Sequence, residues 1–332
     1  MIKRVLLTGA SGFVGSHILK YILTNTDWDV VCLSTFMHEG TQDRILLAID
    51  GADSSRITVL PCDLTSPISN VTSNKIGNID YVINAASESH VDRSVDNPTP
   101  FILNNVSLIC NLLDWAKSKQ IEKFIQISTD EVYGPYQNRK SVEWDPHLPS
   151  NPYSASKAAQ ESIAFAYWRT YNVPIIITNT MNIIGEGQSV EKFTPMVIKK
   201  LISGEPVDIH TYDDGKIGSR YWLCAKNKAS AIVHILNKVT PKVSSSSTRP
   251  SRFNIAGDMQ FTNLEWAQMI AKIMKKDLWY NLKDSSVSRP GYDPHYALDN
   301  TELINTGWAP PFDLLDSLEK TVSWYLSNKE WL

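Results

Sequence analysis

Short apolar runs recur along the first half of the chain, each followed by a stretch with helical spacing. Val5-Leu6-Leu7, Asp29 to Leu33, Ile57 to Leu64, Tyr81 to Ala86, Phe124 to Ile127 and Val173 to Thr178 have the length and β-branched content of buried strands. Between them lie helix-like segments at Ser16–Leu23, Pro98–Lys119 and Ser154–Tyr171. In the second of these, Phe101, Val106, Ile109, Leu112, Leu113 and Ala116 share a face. Strands alternating with helices predict an α/β fold, a Rossmann-type doubly wound parallel sheet over residues 1–182. Beyond Asn182 the alternation loosens. Helices are expected at Glu191–Ile202, Asn227–Lys238, Leu264–Met274 and Leu314–Leu326, and strands at Val207–Tyr212 and Phe253–Ile255. Residues 213–219 read as a turn-rich insertion and 243–248 as a solvated low-complexity loop. Residues 183–332 are thus expected to form a smaller mixed α/β substrate lobe, with segments of about 220–255 returning to the sheet.

Composition narrows the function classes. With 332 residues and 42% apolar content the chain can bury a large core. A formal net charge of -3 argues against nucleic acid or an anionic membrane as partner. The start, Met1-Ile2-Lys3-Arg4, runs directly into a strand, and no run approaches the roughly 18 apolar residues of a membrane span, so a cytoplasmic location is expected. Cys32, Cys62, Cys110 and Cys224 are scattered without C-x-x-C spacing. Buried reduced thiols are expected, with neither disulfide nor metal site.

Candidate chemistry sits at strand ends. Thr8-Gly9-Ala10-Ser11-Gly12-Phe13-Val14-Gly15 places G-x-x-G-x-x-G between a strand and a helix. Glycines there allow a tight turn and let backbone N–H groups approach a pyrophosphate, whose charge the helix N-terminus favours. The second strand ends at Ser34-Thr35, where an acid for the adenosine ribose is expected and absent. Asp63 ends the third; it suits an adenine amine or a helix N-cap. Small residues Ala85 and Ala86 end the fourth and permit close approach of a cofactor. After the fifth come Ser128-Thr129-Asp130-Glu131-Val132-Tyr133-Gly134, and then Tyr153 and Lys157 four apart on a helix. An ammonium one turn from a phenol lowers its pKa and equips it to take a hydroxyl proton as hydride leaves for a cofactor. Two adjacent carboxyls can divide into one acid and one base. Together they suit a redox-neutral elimination, in which oxidation at one carbon acidifies the neighbouring C–H.

The glycine loop and the Tyr153/Lys157 pair resemble the extended short-chain dehydrogenase/reductases. Within them, Ser128 to Gly134 is similar to the signature of the nucleotide-sugar 4,6-dehydratases, as are Glu88 to Ser94, Asn151 to Lys157, Glu191 to Pro195, Arg289 to Asp293 and Lys320 to Leu326. The resemblance implies catalytic roles for Thr129, Asp130, Glu131, Tyr153 and Lys157. It implies a tightly held NAD on Gly9, Gly12, Phe13, Val14, Gly15, Ser34, Asp63, Leu64, Ala85, Ala86, Ser87, Asn104, Tyr153 and Lys157. Ser34 in place of the usual acid leaves NADP open. A nucleotide-sugar substrate is implied on Ser89, Thr129, Asn182, Glu191, Lys192, Arg220, Asn254, Arg289 and Tyr292, and a homodimer through a four-helix bundle. The implied reaction is conversion of an NDP-hexose, dTDP- or UDP-glucose, to its 4-keto-6-deoxy sugar. The competing readings are an epimerase or decarboxylase on the same scaffold and a non-catalytic NAD(P)-binding regulator. Asp208 and His210 stand where the family carries other residues around the base.

Overall fold

The structure, a computed structural model, describes residues 2–37, 41–135, 139–212, 215–284 and 295–332. Its centre is a sheet of seven parallel strands. In chain order they are β1 (Arg4–Thr8), β2 (Asp29–Ser34), β3 (Ile57–Pro61), β4 (Tyr81–Asn84), β5 (Lys123–Ile127), β6 (Ile175–Thr180) and, after four strands of the second lobe, β11 (Ser251–Ile255). They lie side by side as β11-β6-β5-β4-β1-β2-β3. The order reverses on the two sides of β1, whose Leu6 pairs with Val31 of β2 and Val82 of β4. That reversal opens a crevice at the strands' carboxyl ends, where ligands bind in such sheets.

The apolar runs are continuous because both sheet faces are covered. All six residues of β6 are buried. On one face Ile18, Leu19 and Ile22 of helix Phe13–Asn25 meet Ile232, Ile235 and Leu236 of helix Ala225–Lys238. On the other, Leu108, Leu112 and Leu113 of helix Pro98–Ala116 meet Ala164 and Trp168 of helix Pro152–Tyr171. Among the described residues no helix is long and apolar enough to cross a membrane. The four cysteines are free thiols; Cys32 and Cys224 are buried, whereas Cys62 and Cys110 are only partly so.

The second lobe is built on β10 (Ser219–Cys224), which runs parallel to β7 (Asn182–Ile184) and β14 (His295–Tyr296) and antiparallel to β12 (Gln260–Thr262). A further sheet pairs β8 (Val207–Tyr212) with β9 (Lys216–Ile217) and β13 (Tyr280–Asp284). Its core includes Trp222 stacked on Trp266 at 4.3 Å, with the Trp266 indole N–H donating to Thr194. The central strand of this lobe is the chief departure from the sequence pattern, which reads 213–219 as an insertion and nothing at 219–224. Its residues pair with segments far along the chain, so no local period marks it. The strand Tyr280–Asp284 is exposed at every residue and likewise carries no alternation to read.

Candidate active site

A cavity of about 680 Å³ occupies the crevice between sheet and lobe. Its floor is the glycine loop. Gly9 has φ of +68°, and a side chain there would lie 2.8 Å from the Ala86 nitrogen. A Cβ on Gly15 would lie 2.1 Å from the Gly9 carbonyl oxygen. Gly12 precedes helix Phe13–Asn25 without a side-chain cap, which leaves the helix N-terminus directed at the cavity floor. Replacing Gly15 by Ala is expected to displace the loop, costing about 1–3 kcal/mol of stability. The check is dinucleotide released on denaturing the purified protein; full occupancy in the variant would contradict this account.

Along one wall lie Phe13, Val14, Ser34, Asp63, Leu64, Ala85, Ala86, Ser87 and Asn104. Ser34 is hydrogen-bonded to the hydroxyl of Ser11, and Thr35, Met37 and Arg44 complete that end among the described residues. Asp63 caps no helix: it accepts from the backbone N–H and hydroxyl of Thr65, each at 2.8 Å, which folds the turn after β3. It also lines the cavity, so of the two uses expected of it the helix N-cap is not seen and an adenine contact stays open.

The opposite wall carries the proton-handling groups. A tight 3₁₀ turn, Asp130–Tyr133, follows β5 and is capped by Thr129, whose oxygen accepts from the Glu131 N–H. The Thr129 hydroxyl donates to Asp130 at 3.0 Å, and the other Asp130 oxygen has no partner. Burial first, and the Glu131 charge second, push the Asp130 carboxyl up to about 8. Asp130 is therefore a protonated acid at neutral pH. Glu131 is less buried and accepts from the Asn151 amide at 3.2 Å. Asn151 also caps helix Pro152–Tyr171, so one residue both starts the helix and orients the carboxylate.

Tyr153 and Lys157 project from the first turns of that helix into the cavity. The phenol is raised, by burial and then by Glu131, while Thr129 draws it back. Lys157 does not supply the direct lowering expected from the spacing. Its amine donates instead to the Ile127 carbonyl at 2.8 Å and to Gln160 at 2.6 Å. Burial pushes that amine down to about 8. Gln160 ends a buried chain of side chains that the sequence pattern does not reveal. Thr8 donates to Asn84, Asn84 to Gln126 and Gln126 to Gln160, crossing three strands to fix Lys157.

Of the nucleotide-sugar candidates, Ser89, Thr129, Asn182, Lys192 and Arg220 line the cavity. Arg220 lies over the Tyr296 ring at 4.4 Å. Two candidates are placed elsewhere. Asn254 is fully buried behind Tyr133, where its amide donates to the Ser141 carbonyl and its oxygen accepts from the Tyr133 hydroxyl. It ties the loop after the 3₁₀ turn to β11 and is not part of the cavity lining. Glu191 is outside the cavity lining and pairs with His90 at 3.1 Å and Arg93 at 3.5 Å. Those pairs join the lobe to the segment after β4. Arg289 and Tyr292 lie outside the described residues. His210 lines the cavity, whereas Asp208 turns away to pair with Lys283 at 2.6 Å. Lys228, singled out by no motif, also lines it.

Residues 5–256 match the NAD dependent epimerase/dehydratase family. The chain belongs to that family. It is 33% identical over 330 residues to the low-salt glycan biosynthesis protein Agl12 of Haloferax volcanii, covering 98% of this chain and 99% of that one. It is also 33% identical over 355 residues to dTDP-glucose 4,6-dehydratase of Haemophilus influenzae, with 98% of each covered. Among solved structures it superposes on DesIV, a dTDP-glucose 4,6-dehydratase from Streptomyces venezuelae with NAD and TYD bound, at a TM-score of 0.86 and 28% identity over 99% of this chain and 98% of that one. The UDP-glucuronic acid 4-epimerase of Bacillus cereus, with NAD bound, shares the fold at a TM-score of 0.86 and 24% identity, over 98% of this chain and 99% of that one. The family is NAD-dependent, and the cavity fits such a cofactor. A cradle that a single Cβ would fill, small residues at the end of β4 and a helix N-terminus together suit a dinucleotide's pyrophosphate.

Proposed function

We propose that this family member is an NDP-hexose 4,6-dehydratase, with dTDP- or UDP-glucose as the expected substrate. The observation that carries the reading is Asp130 beside Glu131: a carboxyl held protonated to about pH 8 next to a second, more exposed one held by Asn151. An acid and a base at one end of a cavity are what loss of water across C5 and C6 requires. Bound NAD would supply the hydride-accepting and hydride-donating chemistry of such a reaction. Tyr153 takes the 4-hydroxyl proton as a phenolate, which the positive ring of bound NAD would favour against the burial that raises the phenol, with Thr129 hydrogen-bonded to the same oxygen. Glu131 takes the C5 proton and later returns it. Asp130 gives its proton to the departing 6-hydroxyl, which leaves as water. Over one cycle Tyr153 gains a proton and Asp130 loses one, so the site resets when one proton passes between them. Lys157, held by Ile127 and Gln160, supplies the fixed cation.

An epimerase needs no acid at C6 and would leave Asp130 without a task. A regulator needs neither carboxyl. The test is incubation with dTDP-, UDP-, GDP- and CDP-glucose followed by mass spectrometry. One of them is expected to lose a single water; four intact substrates would defeat the reading, and a stereoisomer of unchanged mass would establish epimerisation. The same reading includes a homodimer through helices Pro98–Ala116 and Pro152–Tyr171, supported by exposed Leu103 on the first. Light scattering on the same preparation should give twice the chain mass, and a monomer would remove the dimer.

A further inference from the structure

β7 runs on into Gly185-Glu186-Gly187-Gln188-Ser189, a strap between the second lobe and the elements around the glycine loop. Three successive carbonyls of the strap are each held by a side chain from a different helix. His17 of helix Phe13–Asn25 donates through Nε2 to the Glu186 carbonyl at 2.9 Å. Arg44 of helix Gln42–Ile49 donates through Nε to the Gly187 carbonyl at 2.8 Å. Tyr325 of helix Leu314–Ser327 donates its hydroxyl to the Gln188 carbonyl at 2.6 Å. Lys226 pairs with the Glu186 carboxylate at 2.9 Å, and the Gln188 amide donates back to the Ile183 carbonyl at 2.8 Å. Gly187 turns the strap with φ of +75°, and a Cβ built there would lie 3.5 Å from the ring of Trp331, in the short 3₁₀ turn Lys329–Trp331. The same ring lies over the Arg44 guanidinium at 5.5 Å, and Arg44 is 5% exposed. A loop whose carbonyls are bonded to water opens readily; one whose consecutive carbonyls are bonded to side chains of packed helices opens only when those bonds break.

The strap borders the cavity: Gln188 and Ser189 line it, as do Ser11, Ser34 and Arg44. The helix that carries Arg44 starts beside the glycine loop, where the Thr41 N–H donates to the Ser11 carbonyl at 3.1 Å. Hydrogen bonds therefore run from the glycine loop through helix Gln42–Ile49 to the strap, and return through His17 to the helix that the glycine loop opens. A dinucleotide seated on such a loop turns its adenosine ribose to the end of the second strand. In this chain that is the end where Ser34 and Arg44 line the cavity. We propose that Arg44, Tyr325 and Trp331 are positioning residues that hold the strap closed against the adenosine half of the cofactor, and so set how long NAD stays bound. Tyr325 and Trp331 are not part of the cavity lining, so they act on the cofactor only through the strap and Arg44. The inference rests on the NAD dependence of the family and holds whether the reaction is a dehydration or an epimerisation.

The experiment measures cofactor release without any sugar substrate, so its outcome is separate from that of the dehydratase test. Holoenzyme loaded with radiolabelled NAD is chased with excess unlabelled NAD, and the label retained is counted after desalting. Arg44→Met, which leaves an apolar chain under the Trp331 ring, should lose label about 100-fold faster than wild type, as removal of a charged donor implies. Tyr325→Phe removes a neutral donor and Trp331→Ala the ring that covers Arg44; each should speed release about tenfold. Ile270→Val, a cut in the buried core of the second lobe away from the strap, serves as the control for general loosening. It should lower the melting temperature yet release label within about twofold of the wild-type rate, since affinity changes of a local contact fall on the dissociation rate. Faster release in Arg44→Met together with Tyr325→Phe or Trp331→Ala supports the inference. A wild-type rate in Arg44→Met overturns it. So does acceleration in Arg44→Met alone, which would mean a direct contact with the cofactor and no part for the strap, and so does equal acceleration in Ile270→Val. Should Arg44→Met fail to fold, Arg44→Lys is read in its place, because an ammonium keeps the charge but not the fork that reaches Gly187 beneath an aromatic face.

Discussion

Turnover of the nucleotide hexose is expected to fall about 10⁴-fold when Tyr153 becomes Phe, at the upper end of what one acid–base group supplies. Cofactor reduction should vanish with it, because the hydroxyl removed is the group that takes the 4-hydroxyl proton. Little else should change. The Tyr153 ring packs edge-on to Phe101 at 6.3 Å, and Phe keeps that contact. The helix start is held by Asn151 and by the Tyr153 backbone N–H donating to Ser94, neither of which uses the phenol. The melting temperature should therefore match wild type. Reduction of cofactor at an undiminished rate in the folded variant would remove Tyr153 from the reaction.

The second large effect should come from the carboxyl pair, and it should fall on a different step. Glu131→Gln and Asp130→Asn are each expected to abolish water loss while substrate-dependent cofactor reduction stays measurable. The side chains differ in how pH should act on them. Asp130 has to be protonated to serve as the acid, so water loss should decline as pH rises through about 8. Lys157, also near 8, loses its charge over the same range, so the limb observed belongs to the coupled set. Stability moves the same way for Asp130. Its folded-state value lies above the ordinary 3.8, so between roughly 4 and 8 the folded chain binds the extra proton and is progressively destabilised as pH rises. Asp130→Asn should flatten that decline in thermal unfolding. Water loss at the wild-type rate in either variant, or a melting temperature that falls as steeply with pH in Asp130→Asn, would contradict these assignments.

The parts of the site that could be read directly are those whose geometry is local. Gly9, Gly12 and Gly15 span one turn between a strand and a helix; Gly12 and Gly15 face the Gly9 carbonyl close by in sequence, and only Gly9 meets backbone from far along the chain, at Ala86. Thr129, Asp130 and Glu131 follow β5 without interruption, and Tyr153 and Lys157 share a helix face. Asn254 is a candidate only through the family resemblance, and no local pattern tells whether such a residue faces a cavity or a neighbouring loop. Only the approach of Tyr133 and Ser141 from far along the chain turns it inward. Nor does any local pattern place Glu191, whose partners His90 and Arg93 are brought to it by docking of the lobe.

By itself the sequence determined the alternation of buried strands and amphipathic helices, the cofactor turn, and which acids and bases stand at strand ends. Those follow from period, chirality and short-range sterics, all carried by neighbours in the chain. Tertiary structure alone decided the proton states and the company of those groups. It buried Asp130 until its acid form persists and turned Lys157 onto Ile127 and Gln160 through a chain that begins at Thr8. It also brought Lys228 into the wall of the cavity. Desolvation and Coulomb interaction depend on distance through space, and the residues that set them here are separated by tens of positions in the chain.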